Sequence, residues 1–431
     1  MCYINKMFLF RDLTGNENTR QKMKRILLIL GTLTAILCGL YGCGGGKTIN
    51  KVDAKDSTIV EPQPSPFNVK LYIENSGSMD GYVNGSADFK NALHSYINDI
   101  QLRGIAQNIS LNFINSRIIN KGNDIKKFFT GLNSSTAFIQ SGGDRKSTDI
   151  AQVVESVIND CGQDDVAIIV SDFIFSPGKG KNPERYLEEQ QILLNTTFTK
   201  YLQQCPDAGV MFLQLTSNFS GTYYNRDNAK TKLTNVERPF YMLVIGSKNA
   251  VKSIRKNVPE TKIKGATVRN FFIVENNFST PEYSVIHGTG NFQRSKTNTK
   301  HAIADAAKDR NGNLTFNVNV NFSKSLLDEN YLLNTDNYLV SNKMFALNAE
   351  KQGTNLVLKL SSQNVVKETL SIKLRKKIPQ WISDFNDDTG LDINAATEKT
   401  YGLKTIVGGI AEAFNVDCDS YYTELLIEIN Q

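Results

Sequence analysis

The sequence predicts a doubly wound α/β domain followed by a mainly β, sandwich-like domain. Three observations carry that reading. Between residues 67 and 247, short apolar runs of strand length alternate with amphipathic helical patterns, the order that builds a sheet with helices on both faces. Beyond Ser247 the apolar residues recur at every second position, as in half-buried antiparallel strands. Polar loops rich in Ser and Gly follow the apolar runs of the first half, where α/β sheets carry their functional surface. A chain of 431 residues, 40% hydrophobic and 21% charged, is long enough for two folded units and too apolar to be disordered.

Within the first half, Phe67–Ile73 alternates as a strand and opens into Glu74-Asn75-Ser76-Gly77-Ser78-Met79. Phe89, Leu93, Ile97 and Ile100 then fall on one helical face. Ile109–Ile114 is a second strand. Asp149–Ile158 is a second helix, with Ile150, Val153, Val154 and Val157 facing inward. Val166–Val170 is continuously apolar, as strands buried in parallel sheets are. Glu184–Gln204 reads as a long amphipathic helix, and Val210–Leu215 and Phe240–Ile245 as two further buried strands.

In the second half, Leu314, Phe316, Val318, Val320 and Phe322 alternate with polar residues, as do Leu356, Leu358 and Leu360, and Leu370, Ile372 and Leu374. Asn311-Gly312 marks a turn before the first of these strands. Tyr401–Phe414 reads as a helix and Tyr421–Ile429 as a strand. The single tryptophan, Trp381, stands among Ile378, Pro379 and Ile382 and reads as core packing. Asp384, Asp387 and Asp388 lack the spacing of a calcium loop and read as a solvated loop.

The start of the chain reads as an export signal. Residues 1–42 form the signal region, which begins more naturally at Met23, with Lys24-Arg25 ahead of the apolar run Ile26–Leu40. The run ends at Leu40-Tyr41-Gly42-Cys43 and resembles a bacterial lipobox, which implies lipidation of Cys43. Tyr41 is larger than the usual residue there. Residues 43–66, with Gly44-Gly45-Gly46 and Pro62, Pro64 and Pro66, read as a flexible tether. Residues 67–247 are then the α/β domain, and 248–431 the mainly β domain with its C-terminal helix. The expected location is outside the cytoplasm, anchored to a membrane through lipid at the outer membrane or periplasmic face. The formal charge of +6 is concentrated at the start, where Lys6, Arg11, Arg20, Lys22, Lys24 and Arg25 outnumber Asp12 and Glu17. The remainder is near neutral and has no basic stripe, which argues against a nucleic-acid partner. The cluster Lys373, Arg375, Lys376, Lys377 reads as a solvated strand end. Beyond the tether, Cys161, Cys205 and Cys418 allow one bridge and a free thiol, or three thiols.

Three loops offer oxygen donors at the expected functional edge: Glu74 to Ser78, Ser141 to Asp149, and Ser171-Asp172. Hydroxyls and carboxylates suit hard cations such as Mg²⁺ or Ca²⁺. The arrangement resembles the von Willebrand factor A (VWA) family over roughly Phe67–Ser247. The family's metal-ion-dependent adhesion site uses an Asp-x-Ser-x-Ser loop, a later Thr and a distal Asp. Carried over, Ser76 and Ser78 match the serines, Thr148 the threonine and Asp172 the distal aspartate. Glu74 stands where the family has Asp, one methylene longer, and Asp80 lies close enough in sequence to add a carboxylate. The resemblance implies a binding or assembly module with Mg²⁺ or another divalent cation held by Glu74, Ser76, Ser78, Thr148 and Asp172. A protein partner in the cell envelope would supply an acidic residue to the ion.

Two other readings stay open. One is a serine hydrolase using Ser76 or Ser78. The Gly-x-Ser-x-Gly elbow is missing, and of His94, His287 and His301 only His287 is a candidate base, outside the α/β unit. The other is a structural lipoprotein whose serines only cap the turn. The leading expectation is a non-enzymatic module without catalytic residues.

Overall fold

The computed structural model describes residues 67–431 except 133–137, 147–148 and 418. The signal region, the tether and Cys43 lie outside the described residues, as do Thr148 and Cys418. The protein is a mixed α/β unit with a large mixed sheet, joined to a β unit of two smaller sheets.

The first part supplies strands β1 (Asn68–Glu74), β2 (Ile109–Ile114), β3 (Ile118–Asn120), β4 (Asp165–Ser171), β5 (Ala208–Tyr224), β6 (Lys230–Ser247) and β7 (Thr267–Glu275). They line up as β3-β2-β1-β4-β6-β5-β7. Its helices are α1 (Asp80–Val83), α2 (Asp88–Leu102), α3 (Ile125–Gly131), α4 (Ile150–Asp160), α5 (Pro183–Gln204) and α6 (Lys248–Asn257). Side chains alternate across a strand, and the sheet separates two cores accordingly. Val69, Leu71 and Ile73 face Leu93, Ile97, Val251 and Ile254 of α2 and α6. Tyr72, Ile169 and Phe212 face Val154, Val157, Leu194 and Phe198 of α4 and α5. The expected helices begin where capping chemistry starts them. Asp149 accepts from Gln152 N, and Asn182 accepts from Arg185 N just ahead of Pro183.

Helices cover both faces, as a doubly wound sheet requires, but the strands are not uniformly parallel. Only β2, β1 and β4 pair in parallel, while β3, β6, β5 and β7 run antiparallel to their neighbours. For β5 and β6 the reason is the short connection Asn225–Ala229. Asn225 Oδ1 accepts from the backbone N of Asp227 (3.0 Å) and Ala229 (2.8 Å). A turn this tight returns the chain beside itself, whereas a parallel partner needs a crossover of a dozen or more residues. Strands β5 and β6 are 17 and 18 residues long, far beyond the apolar stretches Val210–Leu215 and Phe240–Ile245. Their outer halves are mostly polar, with Phe219, Tyr223 and Leu233 turned into the core but no continuous apolar run.

The chain does not leave the sheet at Ser247. Ser247 caps α6 by accepting from Ala250 N, α6 packs on the sheet, and β7 pairs with β5. Only then does the β unit begin, with β8 (Glu282–Ile286), β9 (Gln293–Arg294), β10 (Ala302–Ala304), β11 (Leu314–Asn321), α7 (Glu329–Leu333), β12 (Tyr338–Val340), β13 (Ala346–Gln352), β14 (Asn355–Ser362) and β15 (Glu368–Arg375). The chain next returns to the α/β unit through α8 (Trp381–Asp384), β16 (Asn386–Asp387), β17 (Thr400–Tyr401) and α9 (Leu403–Ala413). Ile406 and Ile410 of α9 join the core beside Leu194. The chain ends in β18 (Tyr421–Ile429), which pairs with β15 and β10. The two β-unit sheets, β12-β15-β18-β10-β9 and β13-β14-β11-β8, share one core. Leu314, Phe316, Val318, Val320, Leu358, Leu360, Leu370, Ile372 and Leu374 all lie in it, as the period-two pattern predicts. The Asn311-Gly312 turn closes with Asp309 N donating to Asn313 O at 2.8 Å and Gly312 at φ +78°.

Candidate functional site

Strands β1 and β4 are parallel neighbours, so the loops leaving their carboxyl ends lie side by side. The Ser76 and Ser78 hydroxyls are 2.9 Å apart, and Ser78 lies close enough to Asp172 to favour its charged carboxylate. Asp172 further accepts from Ile174 N at 3.3 Å. Three of the sequence-predicted donors therefore meet in one corner. Glu74 is buried at the end of β1 and accepts a hydrogen bond from Ser171 Oγ, which in turn accepts from Phe173 N at 2.7 Å. This joins the ends of β1 and β4 a second time. Thr148, the fifth predicted donor, is outside the described residues.

The loop is held by residues the sequence reading did not single out. Asn75 N donates to Ile114 O at 2.7 Å, which fixes the loop to β2, and Asn75 Nδ2 donates to Phe138 O at 2.8 Å. Arg145 reaches in from the second loop. Its Nη2 donates to Ser76 O at 3.0 Å, its Nε to Asn75 O at 3.2 Å, and its guanidinium pairs with Asp80. Asp80 therefore does not add a carboxylate to the serines; it is engaged by Arg145. Burial pushes the Asp80 carboxyl above its ordinary range, and Arg145 opposes this. Met79 is fully buried in the core beneath the loop.

The outer half of the β5–β6 hairpin covers this corner. Phe219 packs edge-on against Tyr82 of α1. Gly81 and Gly221 approach so closely that a Cβ on Gly221 would lie 2.5 Å from the Gly81 Cα. Tyr224 stands over Gly77, with its hydroxyl 3.4 Å from where a Cβ would sit. Ser76 and Asp172 are consequently buried, while Gly77 and Ser78 keep partial exposure. Access to the donors is from the Gly77–Ser78 side.

Arg238 lies under the hairpin with 1% exposure. Its guanidinium lies over the Tyr223 ring, 4.7 Å from the centroid, and Nη1 donates to Thr397 O at 3.2 Å. One signal in the sequence marks it. Phe240 and Met242 are inward-facing positions of β6, and Arg238 continues that alternation, so a charge occupies an apolar-face position. Burial drives the Asp172 carboxyl above its ordinary range, opposed by the Ser78 hydrogen bond and the charge of Arg238.

The other singled-out residues lie elsewhere. His287 follows β8 and contacts Thr299 O at 3.3 Å. His94 packs on Phe129, and His301 stacks on Tyr283. Trp381 stacks on Phe212 with an interplanar angle of 8° and donates from Nε1 to Phe271 O at 3.3 Å. Asp387 is buried rather than solvated. Its carboxylate accepts from Thr389 N, Thr389 Oγ1 and Gly390 N and shapes the turn before β17. Cys161 and Cys205 cap the C-termini of α4 and α5 as free thiols. Of the basic cluster, Lys376 is half-buried, and burial holds its amine below the ordinary lysine value.

Among the described residues no three His, Cys, Asp or Glu side chains converge as metal ligands, so a cation here would depend on the serine hydroxyls. Among the described residues no helix is long and apolar enough to cross a membrane. No protein-family model, curated protein or solved structure matches the chain.

Proposed function

We propose that this chain is a cell-envelope lipoprotein whose α/β unit is a VWA-like binding or assembly module rather than an enzyme. The observation that carries the reading is the meeting of Ser76, Ser78 and Asp172 at the carboxyl ends of the adjacent parallel strands β1 and β4. The donors are hydroxyl and carboxylate oxygens, the chemistry of Mg²⁺ and similar hard cations. Ser76, Ser78 and Asp172 would hold such an ion, with Thr148 and Glu74 as the remaining members of the family's set. When bound, the ion would supply a concentrated positive charge for an acidic side chain of a partner protein. The chain's own residues do the positioning. Arg145 fixes the carbonyls of Asn75 and Ser76, Ser171 fixes Glu74, and Tyr224 narrows the approach to Gly77. The hydrolase reading needs a base for Ser76 or Ser78, and the contacts of His94, His287 and His301 are with Phe129, Thr299 and Tyr283.

Titration calorimetry of the full chain with Mg²⁺ or Mn²⁺ tests the ion. Binding lost on Ser76→Ala is the expected result, and no heat in either protein ends the metal reading. Capture of an envelope protein with and without chelator tests the partner. An acylated Cys43 in the mass spectrum of the mature protein tests the anchor, and an intact unmodified N-terminus refutes it.

A further inference from the structure

We infer that Arg238 is a built-in counter-cation of the serine corner, competing with any divalent ion for the charge of Asp172. This rests on the proposed cation site and names what sets its affinity. The placement follows from register. Ser171 of β4 pairs with Tyr241 of β6, so Asp172 lies opposite Phe240. Val170, Phe240 and Met242 share one face of the sheet, and by alternation Asp172 and Arg238 share it too. Antiparallel residues one diagonal step apart are within reach of a long side chain. Tyr82, whose hydroxyl donates to the backbone O of Pro239, feels the charges of both Arg238 and Asp172, and so does Tyr223.

Two features separate Arg238 from an ordinary packed arginine. Its Nε and Nη2 are buried without a carboxylate or carbonyl acceptor among the described residues, with the Tyr82 hydroxyl set against the guanidinium, although buried guanidinium donors are normally satisfied. The other nearby carboxylate, Asp387, already accepts three hydrogen bonds from its own turn. Tyr223 feels Arg238, Asp387 and Asp172 together, so the Arg238 charge is shared between two carboxylates, of which Asp172 is the one at the serine corner. At this corner Arg145 is paired with Asp80, and the charge of Arg238 acts on Asp172. A divalent ion entering this corner meets the Arg238 charge at a buried, low-dielectric site, where like charges repel strongly. Removing Arg238 removes that repulsion and leaves the Asp172 charge to the ion.

The test is titration of Mn²⁺ alone into the purified full chain, into Arg238→Met and into Arg238→Lys, with circular dichroism to verify folding. Arg238→Met should bind Mn²⁺ at least about tenfold more tightly than the parent, with a melting point that rises with Mn²⁺. Arg238→Lys, which keeps the charge, should stay near the parent affinity. Ser76→Ala should abolish the gain in the Arg238→Met background. Arg238→Gln serves the same comparison if the methionine variant does not fold. Equal Ser76-dependent affinity in parent and Arg238→Met overturns the inference while leaving the cation reading intact. Equal tightening by lysine and methionine also overturns it, because charge is then not the cause. Binding only in Arg238→Met upholds the inference and ends metal-dependent capture by the native chain. No binding in any variant ends both.

Discussion

Replacing Glu275 by glutamine should destabilise the fold where the α/β and β units join. Glu275 ends β7, and its side chain is fully buried. One carboxylate oxygen accepts from Ser325 Oγ at 2.7 Å and Leu326 N at 2.8 Å, both from the segment after β11. The other lies 3.4 Å from Lys248 Nζ, itself nearly buried. The amide keeps the shape and one acceptor oxygen, so Ser325 and Leu326 retain a partner. What is lost is the charge facing Lys248, whose remaining bond is to Asn277 O at 3.0 Å. Leaving one member of a buried ion pair uncompensated costs about 3–5 kcal/mol. Urea unfolding followed by circular dichroism reads the loss as a lower midpoint. Lys248→Met should cost a similar amount, and the double variant less than the sum, because it buries no orphan charge. Additive single and double variants, or a loss for Glu275→Gln below about 1 kcal/mol, would show that the pair is not coupled and refute the argument.

Three further outcomes follow from the same geometry. Gly81→Ala places a Cβ 2.2 Å from the Phe219 ring and should cost about 1–3 kcal/mol or more by overpacking, whereas Gly122→Ala meets nothing within 4 Å, its φ of +84° being the only strain; thermal melts compare them. The Asp165 carboxyl is raised by burial but held below its ordinary value by hydrogen bonds from Asn68, Gly162 N and Lys70. Its stabilising contribution is thus present above the ordinary carboxylate value and lost as pH falls through the lower folded one; Asp165→Asn should flatten the acid limb of a stability–pH curve, and an unchanged limb contradicts this. Trp381 is the only tryptophan and docks the returning C-terminal segment on Phe212. Its fluorescence should report that docking, and Trp381→Ala should cost about 2–3 kcal/mol, discounted from a full core truncation because the ring is partly exposed.

Legibility in the sequence followed the range of the physics involved. The strands Val166–Val170 and Tyr421–Ile429, the helices over 150–160 and 183–204, and the alternating core of the β unit are local patterns, written by burial on one face at a time. The serine loop was legible for a related reason: Ser76, Ser78 and Asp172 follow apolar runs, and adjacent strand ends bring such residues together. The outer halves of β5 and β6 were not legible, because their few buried residues, Phe219, Tyr223 and Leu233, make no local pattern and the pairing is owed to the turn at Asn225–Ala229.

By itself the sequence determined two kinds of layer, an α/β sheet and a β sandwich, and the corner where hydroxyls and a carboxylate collect. Tertiary structure alone decided that the main sheet is mixed, that the C-terminal segment returns to it after β15, and that Arg145 and Arg238 stand beside the serine loop. The physical reason is distance along the chain. Arg238 and Asp172 are neighbours only because β6 pairs with β4, and no local periodicity records which strand a long hairpin will lie against.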